Sequence, residues 1–254
     1  ALYLEGLKDG RRFLEVARAV SREKPILVLK GGRSASGARA TLSHTASIAG
    51  EDSIFDAVCR QARLIRVSQL EHLFLMAEAL LSQPLPGGDR IAVVGNGGQG
   101  VATVDNLAAL GIDVPEFSQE DQLELKEILP PHAPIPRNPV DFAAGAMDTS
   151  DEVDVIEKLA SFDYIDGIIT NVPREASYKA SSLAERKKAV ITALDGFAAI
   201  PEKHGKPIVT QRLMPSETSV EFLRSAGIPM FDTPHQCALA MYALTRYART
   251  KSRR

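Results

Sequence analysis

Short runs of aliphatic and β-branched residues recur along this chain, each followed by a longer stretch whose apolar positions fall three or four residues apart. The short runs fit strands buried on both faces and the longer stretches fit amphipathic helices; their alternation is the pattern of a parallel α/β sheet. In the first part, the pattern predicts strands at residues 2–5, 26–30 and 64–67, with helices near 11–22, 53–62 and 69–81. Between 31 and 50 the periodicity lapses into Gly, Ser and Ala, which reads as a long loop. Further on, strands are predicted at 90–94, near Asp113, and at 167–170, 207–210 and 229–231. Helices are predicted near 101–110, 119–128, 151–161, 182–200, 216–226 and 234–247. Three of these helices stop at a glycine that leads into a strand, Gly111, Gly205 and Gly227, where a left-handed residue closes the last turn. The fold class read from the pattern is α/β with doubly wound parallel sheets.

The run Gln83-Pro84-Leu85-Pro86-Gly87-Gly88 interrupts the periodicity and sets the expected division, one domain over 1–85 and a second over 86–254. Of the 254 residues, 44% are hydrophobic and 24% charged, ordinary for a globular protein, and the net charge of −2 argues against nucleic acid or an anionic membrane as partner. The basic residues near the end, Arg246, Arg249, Lys251, Arg253 and Arg254, read as a solvated segment rather than a nucleic-acid arm. Cys59 and Cys237 lie far apart in apolar helical surroundings and read as buried thiols of a reducing, cytoplasmic protein. No apolar run approaches the roughly 18 residues a membrane span needs, and the start carries no secretory pattern. The chain opens without Met on residues that already read as a strand, so its first domain is expected to be truncated at the N-terminus.

Candidate chemistry concentrates in two places. The small-residue stretch from Lys30-Gly31-Gly32-Arg33 leads into Ser43-His44-Thr45 and on to Ala49-Gly50. Long loops between regular elements are commonly functional. A neutral imidazole can accept a phosphoryl group and pass it on, and a carboxylate on its far nitrogen would hold the tautomer. Glu5, at the C-terminal end of the first strand, is the natural candidate, because ligand sites of open α/β sheets lie outside strand C-termini. A histidine that only caps or bonds within its loop is the alternative at this point. The second place is the strand exit Gly95-Asn96-Gly97-Gly98-Gln99-Gly100, which opens a helix. Backbone N–H groups and the helix dipole converge there on an anion. The turn lacks the Lys-Ser/Thr of a P-loop and the ribose-binding acid of a dinucleotide site, and tight packing without a ligand is equally compatible. Nearby, Asn138-Pro139-Val140-Asp141 places Asp141 at a strand end beside the turn, with proline holding Asn138 extended. His72, His132, His204 and His235 have no spacing that suggests a metal and read as structural or surface residues.

In order and spacing, Tyr3-Leu4-Glu5-Gly6, Lys30-Gly31-Gly32-Arg33, Ser43-His44-Thr45 with Ala49-Gly50, Asn96 through Val101, and Asn138 through Asp141 resemble the NDP-forming acyl-CoA synthetases, relatives of succinyl-CoA synthetase. The resemblance implies two flavodoxin-like domains and a reaction that interconverts acyl-CoA, ADP and phosphate with acid, CoA and ATP through a phosphohistidine. By that resemblance His44 is the phosphoryl carrier and Glu5 orients it. Asn96, Gly97, Gly98, Gln99 and Gly100 open a phosphate-binding helix, and Ser43, Thr45 and Asp141 support the two sites. It also implies a CoA-binding domain and an ATP-grasp domain, fused or as a separate subunit, with Mg²⁺ accompanying ATP or ADP on the latter. The chain alone is expected to be inactive. Two departures stand out: Ala46 follows the Ser-His-Thr triplet where the family has glycine, and Gln99 replaces a common proline. The competing readings are a regulatory module of a lysine acetyltransferase and a non-catalytic phosphate- or CoA-binding module.

Overall fold

The computed structural model describes residues 1–45, 51–143, 147–213 and 215–252, with the side chains of 42–45 outside that description. Two parallel sheets organise it. The first runs β1 (Leu2–Leu4), β2 (Leu27–Lys30), β3 (Ile65–Val67) in that order, with Leu2 beside Val28 and Val28 beside Arg66. Helices α1 (Gly10–Val20) and α3 (Asp52–Ala62) pack together over one face. Ala17, Val28, Phe55, Cys59 and Ala62 form its core, with Leu2, Leu4 and Phe13 closing the edges. Helix α1 starts where it does because the Asp9 carboxylate accepts the Arg12 N–H at 2.9 Å.

The second sheet has five parallel strands. They are β4 (Ile91–Gly95), β5 (Val140–Asp141), β6 (Gly167–Asn171), β7 (Ile208–Gln211) and β8 (Met230–Phe231), ordered β5-β4-β6-β7-β8. Numbered within the sheet this is 2-1-3-4-5, the flavodoxin-like doubly wound order, and the chain reverses direction across the sheet at β4. Side chains alternate across it. Ala92, Val94, Ile168 and Ile208 face a large cluster with Val155, Ile156 and Leu159 of α7 (Thr149–Ser161) and Leu194, Phe197 and Ile200 of α8 (Leu183–His204). On the opposite face, a side chain at Gly167 would press on Ile91 and on Met241 of α10 (Pro234–Ser252), which covers that face. The remaining helices are α2 (Ala35–Thr45), α4 (Leu70–Ser82), α5 (Gly98–Ala109), α6 (Gln119–Ile128) and α9 (Glu217–Ser225). The chain divides into two compact units, Ala1–Glu78 with the residues from Arg246 onward, and Ala79–Thr245.

Three local expectations change. Within the long loop expected at 31–50, residues Ala35–Thr45 are helix α2, and 46–50 lie outside the described residues. Ser34 nucleates the helix: its hydroxyl accepts the Gly37 N–H at 3.0 Å and its carbonyl accepts the Ala38 N–H at 2.8 Å. Small residues without hydrophobic periodicity concealed a helix whose alanines have the highest intrinsic propensity. The expected strand near Asp113 is a single bridge to Arg90, and the sheet's edge is the two-residue β5 instead. Asn138 is not extended. It sits at φ 92° before a cis bond to Pro139, and its side-chain amide replaces a strand rung. Nδ2 donates to the carbonyls of Ile91 (3.0 Å) and Pro115 (2.9 Å), while Oδ1 accepts the Val93 N–H (2.9 Å). Asparagine tolerates a left-handed backbone better than most residues, and three partners hold it there. The three helix-stop glycines have the left-handed φ expected of them, 69°, 64° and 73°. Among the described residues no helix is long and apolar enough to cross a membrane.

Candidate functional site

In the first unit the site is built at the C-terminal ends of β1 and β2. Glu5 follows β1 directly, and the Tyr3 hydroxyl points to its Oε1 at 3.5 Å. Gly31 follows β2 and donates its N–H to the Leu4 carbonyl at 2.9 Å. A Cβ at Gly31 would fall 2.9 Å from the Tyr3 hydroxyl and 3.4 Å from Glu5 Cγ, so the glycine is what lets these side chains lie across the β2 exit. From there the chain turns at Ser34 into α2, and Ser43, His44 and Thr45 form the last turn of that helix. Their side chains lie outside the described residues, as do residues 46–50 entirely. The backbone therefore carries His44 on a helix that leaves one strand end, beside the strand end that carries Glu5.

In the second unit, β4 ends at Gly95 and α5 begins at Gly98, a few residues earlier than the sequence pattern placed it. Gly97 is the N-cap residue, with φ 54°, and no side chain of its own caps the helix. Asp141, at the end of β5 and level with Gly95, takes up that part: its Oδ1 accepts the Gly97 N–H at 3.1 Å and the Ala143 N–H at 2.7 Å. Gln99 accepts from Gln211 Nε2 at 3.2 Å, linking the helix start to the end of β7. Two buried amide atoms at this end of the sheet, Asn96 Oδ1 and Asn171 Nδ2, have no hydrogen-bond partner among the described residues. Buried polar atoms are nearly always paired, so an acceptor and a donor left open beside a helix N-terminus fit a ligand that would complete them. The sequence reading singled out Asn96, Gly97, Gly98, Gln99, Gly100 and Asp141 and missed Asn171 and Gln211. A signal for both was present, since each is the amide residue that ends a buried strand, directly after a threonine.

Both cysteines are free and buried, and desolvation pushes the Cys59 thiol up to about 11 and Cys237 higher still, which leaves neither reactive at neutral pH. His72 meets Ser68 at 3.4 Å, His204 meets Glu157 at 2.7 Å and His235 meets Asn106 at 2.9 Å. Among the described residues no three His, Cys, Asp or Glu side chains could hold a metal ion together.

Comparison with known proteins bears on which chemistry these parts serve. Residues 1–80 match the family described as succinyl-CoA ligase like flavodoxin domain. The α subunit of the ADP-forming acetate–CoA ligase II of Pyrococcus furiosus is 35% identical over 252 residues, 98% of this chain and 53% of that subunit. A solved structure, the dinucleotide forming acetyl-coenzyme A synthetase 1 of Ca. Korarchaeum cryptofilum in complex with phosphate and ADP, superposes with a TM-score of 0.81 at 31% identity. It covers 98% of this chain and 53% of that one. Along nearly its whole length the chain is similar to NDP-forming acyl-CoA synthetases. It spans about half the length of these family members. Another synthetase of the family, the ADP-forming 4-hydroxybutyrate–CoA ligase of Nitrosopumilus maritimus, is 29% identical over 97% of this chain and 34% of its own length. Members of the acyl-CoA synthetase family with different acids in their names thus resemble this chain over nearly all of it.

Proposed function

We propose that this chain supplies the phosphoryl-carrying histidine and one phosphate-binding helix end of an ADP-forming acyl-CoA synthetase. Phosphate attacks the acyl carbon of acyl-CoA, the thiolate leaves as CoA, and an acyl phosphate forms. A ring nitrogen of His44 then attacks phosphorus, the carboxylate of the acid leaves, and the phosphohistidine passes its phosphoryl group to ADP. Glu5 accepts a hydrogen bond from the far ring nitrogen and stabilises the positive charge that develops on the imidazole. The N-terminus of α5 holds phosphate through backbone N–H groups, and Asn96 and Asn171 add an acceptor and a donor. Ser43 and Thr45 flank the carrier, and Asp141 fixes the turn on which the helix opens.

The supporting observation is topological: Glu5 and the helix that carries His44 leave the C-terminal ends of two adjacent parallel strands, where sites of this fold class form. In this reading the principal CoA site and the nucleotide, with its Mg²⁺, belong to further domains or a further subunit, and the chain by itself does not turn over. It acts in the cytoplasm, with small-molecule acid, acyl-CoA and phosphate as its substrates. The acid is left to parts outside this chain, since relatives named for acetate and for 4-hydroxybutyrate both resemble it over nearly its whole length.

The test is label transfer. Full-length protein incubated with γ-phosphate-labelled ATP takes up acid-labile, base-stable label, His44→Asn takes up none, and Glu5→Gln takes it up at least about a hundredfold more slowly. Label that persists in His44→Asn ends the proposal.

A further inference from the structure

The downstream end of the segment that carries His44 is the N-terminus of α3, and that helix start is held in an unusual way. Its N-cap residue, Glu51, makes no side-chain capping bond. Two cations from neighbouring strands grip the first turn instead. Arg66, in the middle of β3, places its Nη2 2.6 Å from Asp52 Oδ1 and its Nη1 3.5 Å from the Asp52 carbonyl oxygen. The same Nη1 reaches Asp56 Oδ1, one turn further on, at 3.2 Å. Asp56 is paired in turn with Arg60. Lys30, the last residue of β2, is 4% exposed, with its ammonium 4.0 Å from Asp52. The Phe55 ring lies near both cations, 6.0 Å from Lys30 Nζ and 5.5 Å from the Arg66 guanidinium. Register places Val28 beside Arg66 and Leu4 beside Lys30, so both cations stand on the sheet face that α3 covers.

An almost fully buried lysine beside a half-exposed aspartate is a poor device for stability alone, because desolvation offsets much of the attraction. Its geometry suits orientation better. One face of the first turn of α3 is fixed by carboxylate, carbonyl and ring contacts to two strands, and the end of one of them, β2, carries Gly31 and leads into α2. The upstream root of the histidine segment is capped by Ser34, and the downstream root is clamped by Arg66 and Lys30.

We propose that Arg66, assisted by Lys30, is a positioning residue for phosphoryl transfer: by clamping Asp52 it holds the start of α3, the described element that follows His44 along the chain. This rests on the phosphohistidine reading above. The experiment uses the full-length enzyme and the variants Arg66→Met, Asp52→Asn, their double and Arg66→Lys. The clamp predicts that kcat falls about tenfold in either single variant, within the range that misplacement of a reacting group produces. KM for acyl-CoA, ADP and phosphate stays within about twofold, the double variant is no worse than the singles, and Arg66→Lys recovers part of the loss. Rapid-quench labelling of His44 slows by the same factor. Folded variants that lose melting temperature but keep wild-type kcat assign the pair to stability and overturn the proposal. If Arg66→Met does not fold, Asp52→Asn, which keeps shape and removes charge, decides alone. Failure of the wild-type enzyme to take up label would remove the phosphohistidine reading itself, whereas normal label with unaffected variants removes only the clamp.

Discussion

Asp141 shows how one side chain sets the character of a site. Its carboxylate accepts two backbone N–H groups, from Gly97 and Ala143, and so stabilises the turn that opens α5. It also brings a negative charge to the helix end proposed to bind phosphate, and like charges repel. The two roles separate by substitution. Asp141→Asn keeps an acceptor oxygen and removes the charge. Relief of repulsion between charges a few ångströms apart near water is worth about 1 kcal/mol, so inorganic phosphate binding should tighten roughly fivefold. Asp141→Ala leaves two amides without their acceptor, and calorimetry should show phosphate affinity lost together with about 1–3 kcal/mol of stability. Equal phosphate affinity in wild type and the Asn variant would place the anion away from this helix end. The residue types were legible here: a carboxylate at a strand end beside a glycine turn stands out in sequence. Its place beside that turn was legible too, but the two amides it accepts, those of Gly97 and Ala143, were not, because they meet its carboxylate only when β5 docks beside β4.

At the scale of elements, legibility followed hydrophobic periodicity. Strands β4, β6 and β7 and the helices after them announce themselves through buried aliphatic runs, and the three glycine stops mark the ends of their helices. Where structure depends on capping or on a side chain acting as backbone, the pattern is silent. Helix α2 has no apolar stripe to read, and its start depends on one serine hydroxyl. Asn138 reads as an ordinary residue before proline, yet its amide supplies three bonds that join β4 to the segment around Pro115. Removing a partner leaves buried backbone groups unsatisfied, at about 1–3 kcal/mol each. Asn138→Ala is therefore expected to lose about 3–5 kcal/mol, with a fall in the urea midpoint at unchanged m-value. Asn138→Asp keeps the acceptor for Val93 but sets a carboxylate oxygen against the carbonyls of Ile91 and Pro115, and should be at least as damaging. A loss below about 1 kcal/mol in both would show that this amide is not what fastens β5 to the sheet edge.

For the whole molecule, the sequence pattern showed two α/β regions, and the structure gives each its own parallel sheet and its own buried cluster. The Pro/Gly run at 83–88 marks a break in periodicity, but division by compactness falls at Glu78 and returns the chain's end from Arg246 to the first unit. That return was not legible, because the pattern of α10 continues across Arg246 without interruption. Stability should divide along the clusters. Phe197 is fully buried among α7, α8 and the five-stranded sheet, whereas Phe55 belongs to the core of the three-stranded one. Truncating a buried phenylalanine costs about 3–5 kcal/mol, and native-state hydrogen exchange reads where that loss falls. Phe197→Ala should speed exchange of the slow amides in β4, β6 and β7 by two to three orders of magnitude, about 1.4 kcal/mol per factor of ten, and leave β2 and β3 near wild-type rates. Phe55→Ala should do the reverse, and it should also loosen the first turn of α3, where the ring meets Lys30 and Arg66. If either substitution accelerates all strands equally, the two clusters open as one cooperative unit, and the clamp on α3 would then have to be judged against the stability of the whole chain rather than that of its own sheet.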